Sequence, residues 1–202
     1  MPRTVLNVGG GSKSIPIPDH FADFEHLLLD IDPRGQPDVV KDARKLTELA
    51  PAQFDAIYCS HNLEHYFPHE VPQVLAGFRH VLKPEGFAEI RVPDLDKVFR
   101  TYVEKGLDIT DVLYRANIGP VTVRDVIYGW SVEIQRSGQE YYAHRTGFSQ
   151  TTLADDLTRA GFRQVYRRPG RAFELNVLAF LAPPSDDLRA ILKLKPARPG
   201  SV

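Results

Sequence analysis

Leu6-Asn7-Val8-Gly9-Gly10-Gly11-Ser12 is the stretch on which the reading of the whole chain turns. A short apolar run, Thr4 to Val8, opens into three consecutive glycines. Nineteen residues beyond Gly11 a second apolar run, Leu27-Leu28-Leu29, ends in Asp30. A strand that opens into a glycine turn, followed about twenty residues later by a strand ending in an acid, describes a nucleotide pocket. Glycine reaches positive φ and lets a ligand approach the main chain with no Cβ in the way. A carboxylate at the second strand end accepts from both ribose hydroxyls more strongly than a neutral side chain does. Glycine turns after strands are common, so the assignment depends on the segments that follow.

Those segments lie in a chain of 202 residues, long enough for one sizeable core. A charged fraction of 25% with 43% hydrophobic residues is ordinary for a globular domain. The net charge of -1 argues against a dedicated nucleic-acid partner or a membrane surface, which basic domains serve. No apolar run approaches the ~20 residues of a membrane helix, and the first strand starts too early for a signal peptide. The single cysteine, Cys59, excludes an intrachain disulfide and any multi-thiolate metal site; it reads as a small buried hydrophobe. A reducing, cytoplasmic location is expected.

After the glycines, Pro16 and Pro18 prevent a regular helix before Asp19, so the first crossover is a loop with one helical turn near Phe21 to Phe24. Leu27 to Ile31, Val39-Val40, Phe54 to Ser60 and Phe87 to Val92 read as strands two to five. The apolar positions 71, 74, 75, 78, 81 and 82 predict an amphipathic helix that Lys83-Pro84-Glu85-Gly86 ends. Asp94 to Lys105 repeats that pattern. The alternation predicts an α/β fold with a mostly parallel sheet and helices on both faces. Residues 107–147 break the alternation as an insertion with two expected helices, one after Thr110 and one after Thr122. Ser149 caps a further helix that ends at Gly161. Gln164 to Arg168 and Glu174 to Leu181 form two strands joined by a tight reversal, so the last runs antiparallel. Arg163, Arg167, Arg168 and Arg171 read as a solvated strand face, not a phosphate clamp. One domain is expected over 1–182, with a frayed tail over 183–202.

The order LNVGGGS, LLLDIDP, VVKDA, FDAIYCSHNLEH, RHVLKPEGFAEIRVPDL and LTRAGF resembles the class I S-adenosylmethionine-dependent methyltransferases, most of all their small type 11 branch, over residues 4 to 182. The resemblance implies a Rossmann-like, seven-stranded sheet with an antiparallel last strand, here with its first crossover helix reduced or absent. It implies S-adenosylmethionine as cofactor, with S-adenosylhomocysteine as product. Asn7, Gly9, Gly10 and Gly11 would line the methionine and ribose portions. Asp30 would grip the ribose hydroxyls, with Asp32 as competitor, and Asp42 with Ala43 would meet the adenine. Ser60 and His61 would flank the transferable methyl. Asn7 stands where the family often has an acid. Outside the resemblance, the glycines could serve a tight turn alone, and Asp42 could simply cap the helix after it.

Methyl transfer is an in-line displacement in which the protein aligns the nucleophile and excludes water. A base is needed only where the acceptor must lose a proton; His61, His65 and His144 are the candidates. Arg91 could hold a substrate carboxylate or phosphate, and Tyr142 could orient the acceptor. His61, Glu64 and His65, if on one helical face, would suit a divalent metal, but the preferred reading uses none. The sequence points to methyl transfer onto a small-molecule acceptor, O or N, with no nucleic acid and no membrane as partner and a homodimer left open. The loss of the first helix, whose N-terminus would lie beneath the cofactor's carboxylate, raises a rival: a catalytically silent binder on the same fold. A nicotinamide-dependent oxidoreductase is the weaker rival, because Ser14 replaces the last glycine of GxGxxG.

Overall fold

The computed structural model describes residues 2–116 and 119–194. Its centre is a seven-stranded sheet in the order β3-β2-β1-β4-β5-β9-β8. The strands are β1 (Arg3–Val8), β2 (Phe24–Asp30), β3 (Val39–Val40), β4 (Phe54–Ser60), β5 (Leu82–Pro93), β8 (Gln164–Arg168) and β9 (Glu174–Phe180). Strands β1 to β5 pair parallel, while β9 runs antiparallel to both β5 and β8. The expected architecture, antiparallel last strand included, is therefore present.

Strands buried on both faces need cover on both. On one face lie α1 (Val71–Val81) and α5 (Gln150–Arg159), whose Val74, Leu75, Phe78, Leu153 and Leu157 pack on Leu6, Val8, Ile57 and Ile90. The opposite face, with Val5, Ala56, Tyr58 and Phe87, is covered by Phe21 from the first crossover and by Leu188 and Leu192. The crossover holds only a single 3-10 turn, Asp19–Phe21, as the two prolines require. Fully buried Phe21, stacked on Phe87 at 5.9 Å, covers sheet that the missing helix would otherwise cover. The C-terminal stretch also contributes. Ser185 caps α6 (Asp186–Ile191), and Leu192 is wholly buried. The expectation of a frayed tail from residue 183 is therefore corrected for 186–194, because an apolar face was there to be covered. Residues 195–202 lie outside the described residues.

The insertion follows α2 (Leu95–Lys105) and differs from its sequence reading. In place of a helix after Thr110 there is a hairpin of β6 (Val112–Ala116) and β7 (Gly119–Thr122). The β-branched and aromatic content of that stretch outweighs its weak helical spacing. The second expected helix is split into α3 (Val123–Tyr128) and α4 (Ser131–Ser137). Gly129 (φ +93) breaks it, and an added Cβ there would meet the Tyr142 carbonyl oxygen at 2.3 Å. Among the described residues no helix is long and apolar enough to cross a membrane.

Candidate active site

Parallel pairing holds three strand ends in step. Val8 lies opposite Leu29 on one side and Cys59 on the other. Gly9, Asp30 and Ser60 therefore leave the sheet at one rim. The strand order reverses between β1 and β4, and in open parallel sheets ligands bind in the crevice beyond that switch point.

Gly9 and Gly11 take φ of +72° and +70°, which side-chain-bearing residues avoid. A Cβ at Gly9 would fall 2.1 Å from Asn62 Nδ2, and one at Gly10 would fall 2.2 Å from Asn7 Nδ2. Two amides thus lie directly against the turn. Asn7 Oδ1, Asn62 Oδ1 and the nearby Glu64 Oε2 are all buried without a hydrogen-bond partner among the described residues. Buried polar atoms are nearly always paired, so three orphaned acceptors around one rim suit a ligand rich in N–H and O–H donors.

Asp30, 7% exposed, accepts from the Gly11 and Asp32 N–H groups, each at 2.9 Å. It ties the glycine turn to the end of β2 and keeps lone pairs free, since a carboxylate offers about four acceptor positions. Asp32 is more fully engaged. Arg34 donates to both its oxygens, and the Tyr141 hydroxyl donates to Oδ2 at 2.7 Å. The Arg34 guanidinium holds the Asp32 carboxyl far below the usual range. Tyr141 belongs to the insertion, so this contact draws the insertion across to the end of β2. Asp42 caps the turn at Ala43–Glu48, accepting from Arg44 N at 2.9 Å. Burial would raise its pKa, but the Arg44 guanidinium, shared with Glu70, lowers it. The capping use of Asp42 is thus realised, and an adenine amine would share its carboxylate with Arg44. Ala43 is buried beside it.

Ser60 ends β4 opposite Arg91, and His61 follows at φ +51°. That conformation is costly for a residue with a side chain and collects at functional turns. The His61 ring lies 3.3 Å from Glu64 Oε1 through Nδ1 and 3.1 Å from Glu174 Oε2 through Nε2. Burial works against its charge, yet Glu174 and Glu64 win and raise its pKa to about 10. At neutral pH His61 is an imidazolium and does not serve as a base. His65 has both ring nitrogens facing carbonyl oxygens, Ala143 at 3.0 Å and His61 at 3.1 Å. His144 differs. Its Nδ1 faces the Val126 carbonyl oxygen at 2.9 Å, which assigns the proton there and leaves Nε2 with a lone pair. Burial pushes its pKa down, and Glu64 Oε1 lies 4.0 Å from Nε2, placed to stabilise the ring once it takes a proton.

The alternative metal trio of His61, Glu64 and His65 on one helical face does not form, because the turn after His61 is a short 3-10 segment. Ligand atoms of Glu64, His65 and His144 instead lie within 4.8 Å of one another. His65 would have to leave one of its two carbonyl partners to bind an ion. Arg91 is largely committed: Nε and Nη2 donate to the fully buried Glu89. Tyr142 is half-buried beside Tyr141, with ring centroids 4.9 Å apart. Arg163, Arg167 and Arg171 are exposed as the solvated-face reading expects, Arg168 is half-buried, and Arg167, Arg168 and Arg171 also line a cleft.

Residues 29–90 match the family model described as Methyltransferase domain. Over that stretch the chain is similar to methyltransferase domains. No curated protein matches it. Among solved structures, a protein from Pyrococcus horikoshii is 18% identical with a TM-score of 0.61, covering 89% of this chain and 82% of its own. An S-adenosylmethionine-dependent methyltransferase from Archaeoglobus fulgidus is 15% identical with a TM-score of 0.56, covering 89% and 86%. The 1,6-didemethyltoxoflavin-N1-methyltransferase of Burkholderia thailandensis, solved with that compound and S-adenosylhomocysteine, is 19% identical with a TM-score of 0.51, covering 89% and 71%. At these identities the likeness is one of fold.

Three rim residues escaped the sequence reading. Asn62 lies inside the SHNLEH motif but carries no charge to draw attention. Glu174 reaches the rim only because antiparallel β9 sets it opposite Pro93. Tyr141 arrives from 109 residues away. The His61 pair has a measurable signature. Its folded-state pKa is raised, so its contribution is complete below about pH 6.5 and is lost as pH rises through about 10. The ring is half exposed, so about 1 kcal/mol is expected at most. Thermal unfolding of wild type and His61→Gln should differ near pH 6 and converge above pH 10. A gap that stays constant would remove the ion pair.

Proposed function

We propose that this domain moves a methyl group from S-adenosylmethionine to an O or N atom of a small-molecule acceptor. The observation that carries the reading is the rim itself: a glycine turn at positive φ, Asp30 with free lone pairs, and the orphaned oxygens of Asn7, Asn62 and Glu64 lie about one switch point. Gly9, Gly10 and Gly11 would take the methionine and ribose portions, Asp30 the ribose hydroxyls, and Asp42 with Ala43 the adenine. Ser60 and His61 would flank the methyl. When bound, the cofactor supplies an activated sulfonium methyl, so the chain's task is alignment and exclusion of water. His144 is the base in this reading, since its Nδ1 faces the Val126 carbonyl oxygen and leaves Nε2 open, whereas both ring nitrogens of His65 face carbonyl oxygens and His61 lies between two carboxylates. A bound toxoflavin precursor in a structural neighbour makes a compact heterocycle a reasonable acceptor class. No metal enters the reaction.

One observation favours the silent binder. Asp32 and Asp42 are held by Arg34 and Arg44, and Asn62 lies over Gly9, so a cofactor must displace Asn62 to reach the turn. Isothermal titration with S-adenosylhomocysteine, followed by label transfer from the methylated cofactor to a panel of small acceptors, separates the readings. Micromolar binding with transfer is expected; binding without transfer to any acceptor would select the silent binder.

A further inference from the structure

Beside the rim, at the carboxyl end of β5, lies a cleft of about 370 Å³ between the start of α2 and the β8–β9 reversal. Lys97, Arg167, Arg168 and Arg171 line it, against two carboxylates, Asp94 and Glu174. Both acids are already in use. Asp94 caps α2 by accepting from Lys97 N at 3.1 Å, and Glu174 accepts from His61 and from the Arg171 N–H. Arg167 reaches Gln150 and lies 3.9 Å from Asp94. Among the described residues no carboxylate oxygen lies within 4.0 Å of the charged nitrogens of Lys97, Arg168 or Arg171. The Lys97 ammonium lies 5.3 Å from the Phe173 ring centroid, while Arg168 and Arg171 line the same concavity with no carboxylate partner among the described residues, a local positive charge that an oxyanion offsets. Glu174 forms a wall common to this cleft and to His61, so a molecule seated here extends to the side where the methyl would be delivered.

We propose that the cleft binds a phosphate group carried by the methyl acceptor, and this rests on the methyltransferase reading above. A guanidinium matches a phosphate through two parallel N–H···O bonds, and two such groups with an ammonium can serve three oxygens. The acceptor is thus a phosphorylated small molecule, its phosphate held by Arg168, Arg171 and Lys97 and its nucleophile directed past Glu174 toward His61. Arg91, which the sequence offered for this task, is already committed to Glu89.

The test titrates inorganic phosphate, at constant ionic strength set with chloride, into the full chain with and without S-adenosylhomocysteine. Wild type should show saturable binding under both conditions, weakened at least tenfold by Arg168→Ala combined with Arg171→Ala. Among the described residues neither arginine side chain has a salt-bridge partner, so the melting temperature and the S-adenosylhomocysteine affinity should not move. Succinate, run in parallel, should bind at least tenfold more weakly than phosphate. The proposal is overturned if phosphate fails to saturate, if the double variant binds it equally well, or if succinate matches it. Failure of the parent reading would look different: S-adenosylhomocysteine would not bind wild type at all.

Discussion

Asp30→Ala is expected to weaken S-adenosylhomocysteine binding at least tenfold, about 1.4 kcal/mol or more, and to lower stability as well. The two losses have separate causes. In the fold the carboxylate accepts from Gly11 N and Asp32 N, and it thereby fixes the glycine turn against the end of β2. Hydrogen bonds to a charged acceptor contribute roughly 1.5–3 kcal/mol. Both N–H groups regain water in the variant, so about 2 kcal/mol in all is the expected cost. Asp30→Asn divides the two effects. An amide oxygen still accepts from one N–H, so most of the stability should return, but an uncharged acceptor grips ribose hydroxyls less well. Titration calorimetry and thermal unfolding on the three proteins decide the matter. If Asp30→Asn binds like wild type, the carboxylate does not hold the ribose, and its role is confined to the turn.

That double duty explains why the rim was partly legible before the fold was known. A glycine run after β1 and an acid closing β2 are local signals, and the parallel register between those strands converts them into a shared edge with no further information. The sheet order was equally readable, because unbroken apolar runs separated by helical spacing leave few other arrangements. What stayed hidden depends on long-range contacts. Val112–Ala116 became a strand only because Gly119–Thr122 pairs with it. Tyr141 meets Asp32 across 109 residues, and Glu174 meets His61 across 113. The arginines at 167, 168 and 171 read as a solvated face, and their spacing says nothing about Lys97, which α2 brings to the same cleft. Phe21 and Leu192 show a related point. The apolar sheet face left uncovered by the missing first helix was satisfied by residues whose local sequence looked like loop and tail.

Glu64→Gln should be the most damaging conservative change at the catalytic side of the rim. The Glu64 side chain is 1% exposed, lies 3.3 Å from His61 and 4.0 Å from His144, and carries an orphaned second oxygen. Burial raises its pKa, while His61 above all pulls it down, and the balance is a lowered value. A depressed carboxyl contributes stability that is present above its unfolded value of about 4.5 and is lost as pH falls through the folded one. Removing one partner of a buried pair costs about 3–5 kcal/mol. His61 is half exposed and keeps Glu174, so no buried charge is left alone, and the screened pair that is lost is worth about 1 kcal/mol near neutral pH. The deficit relative to wild type should shrink as the pH is lowered below about 4.5, because wild type then loses the charge that the variant already lacks. Turnover should suffer in addition. Without the carboxylate beside Nε2, the His144 imidazolium formed on proton abstraction loses its nearest negative charge, and a loss toward the ~100-fold floor of general-base catalysis follows. The two effects separate by pH: unfolding reports the carboxyl below 4.5, whereas label transfer near neutrality reports His144. Activity that survives Glu64→Gln with the stability loss intact would take His144 out of the reaction and leave Glu64 as a strut for the turn that follows β4.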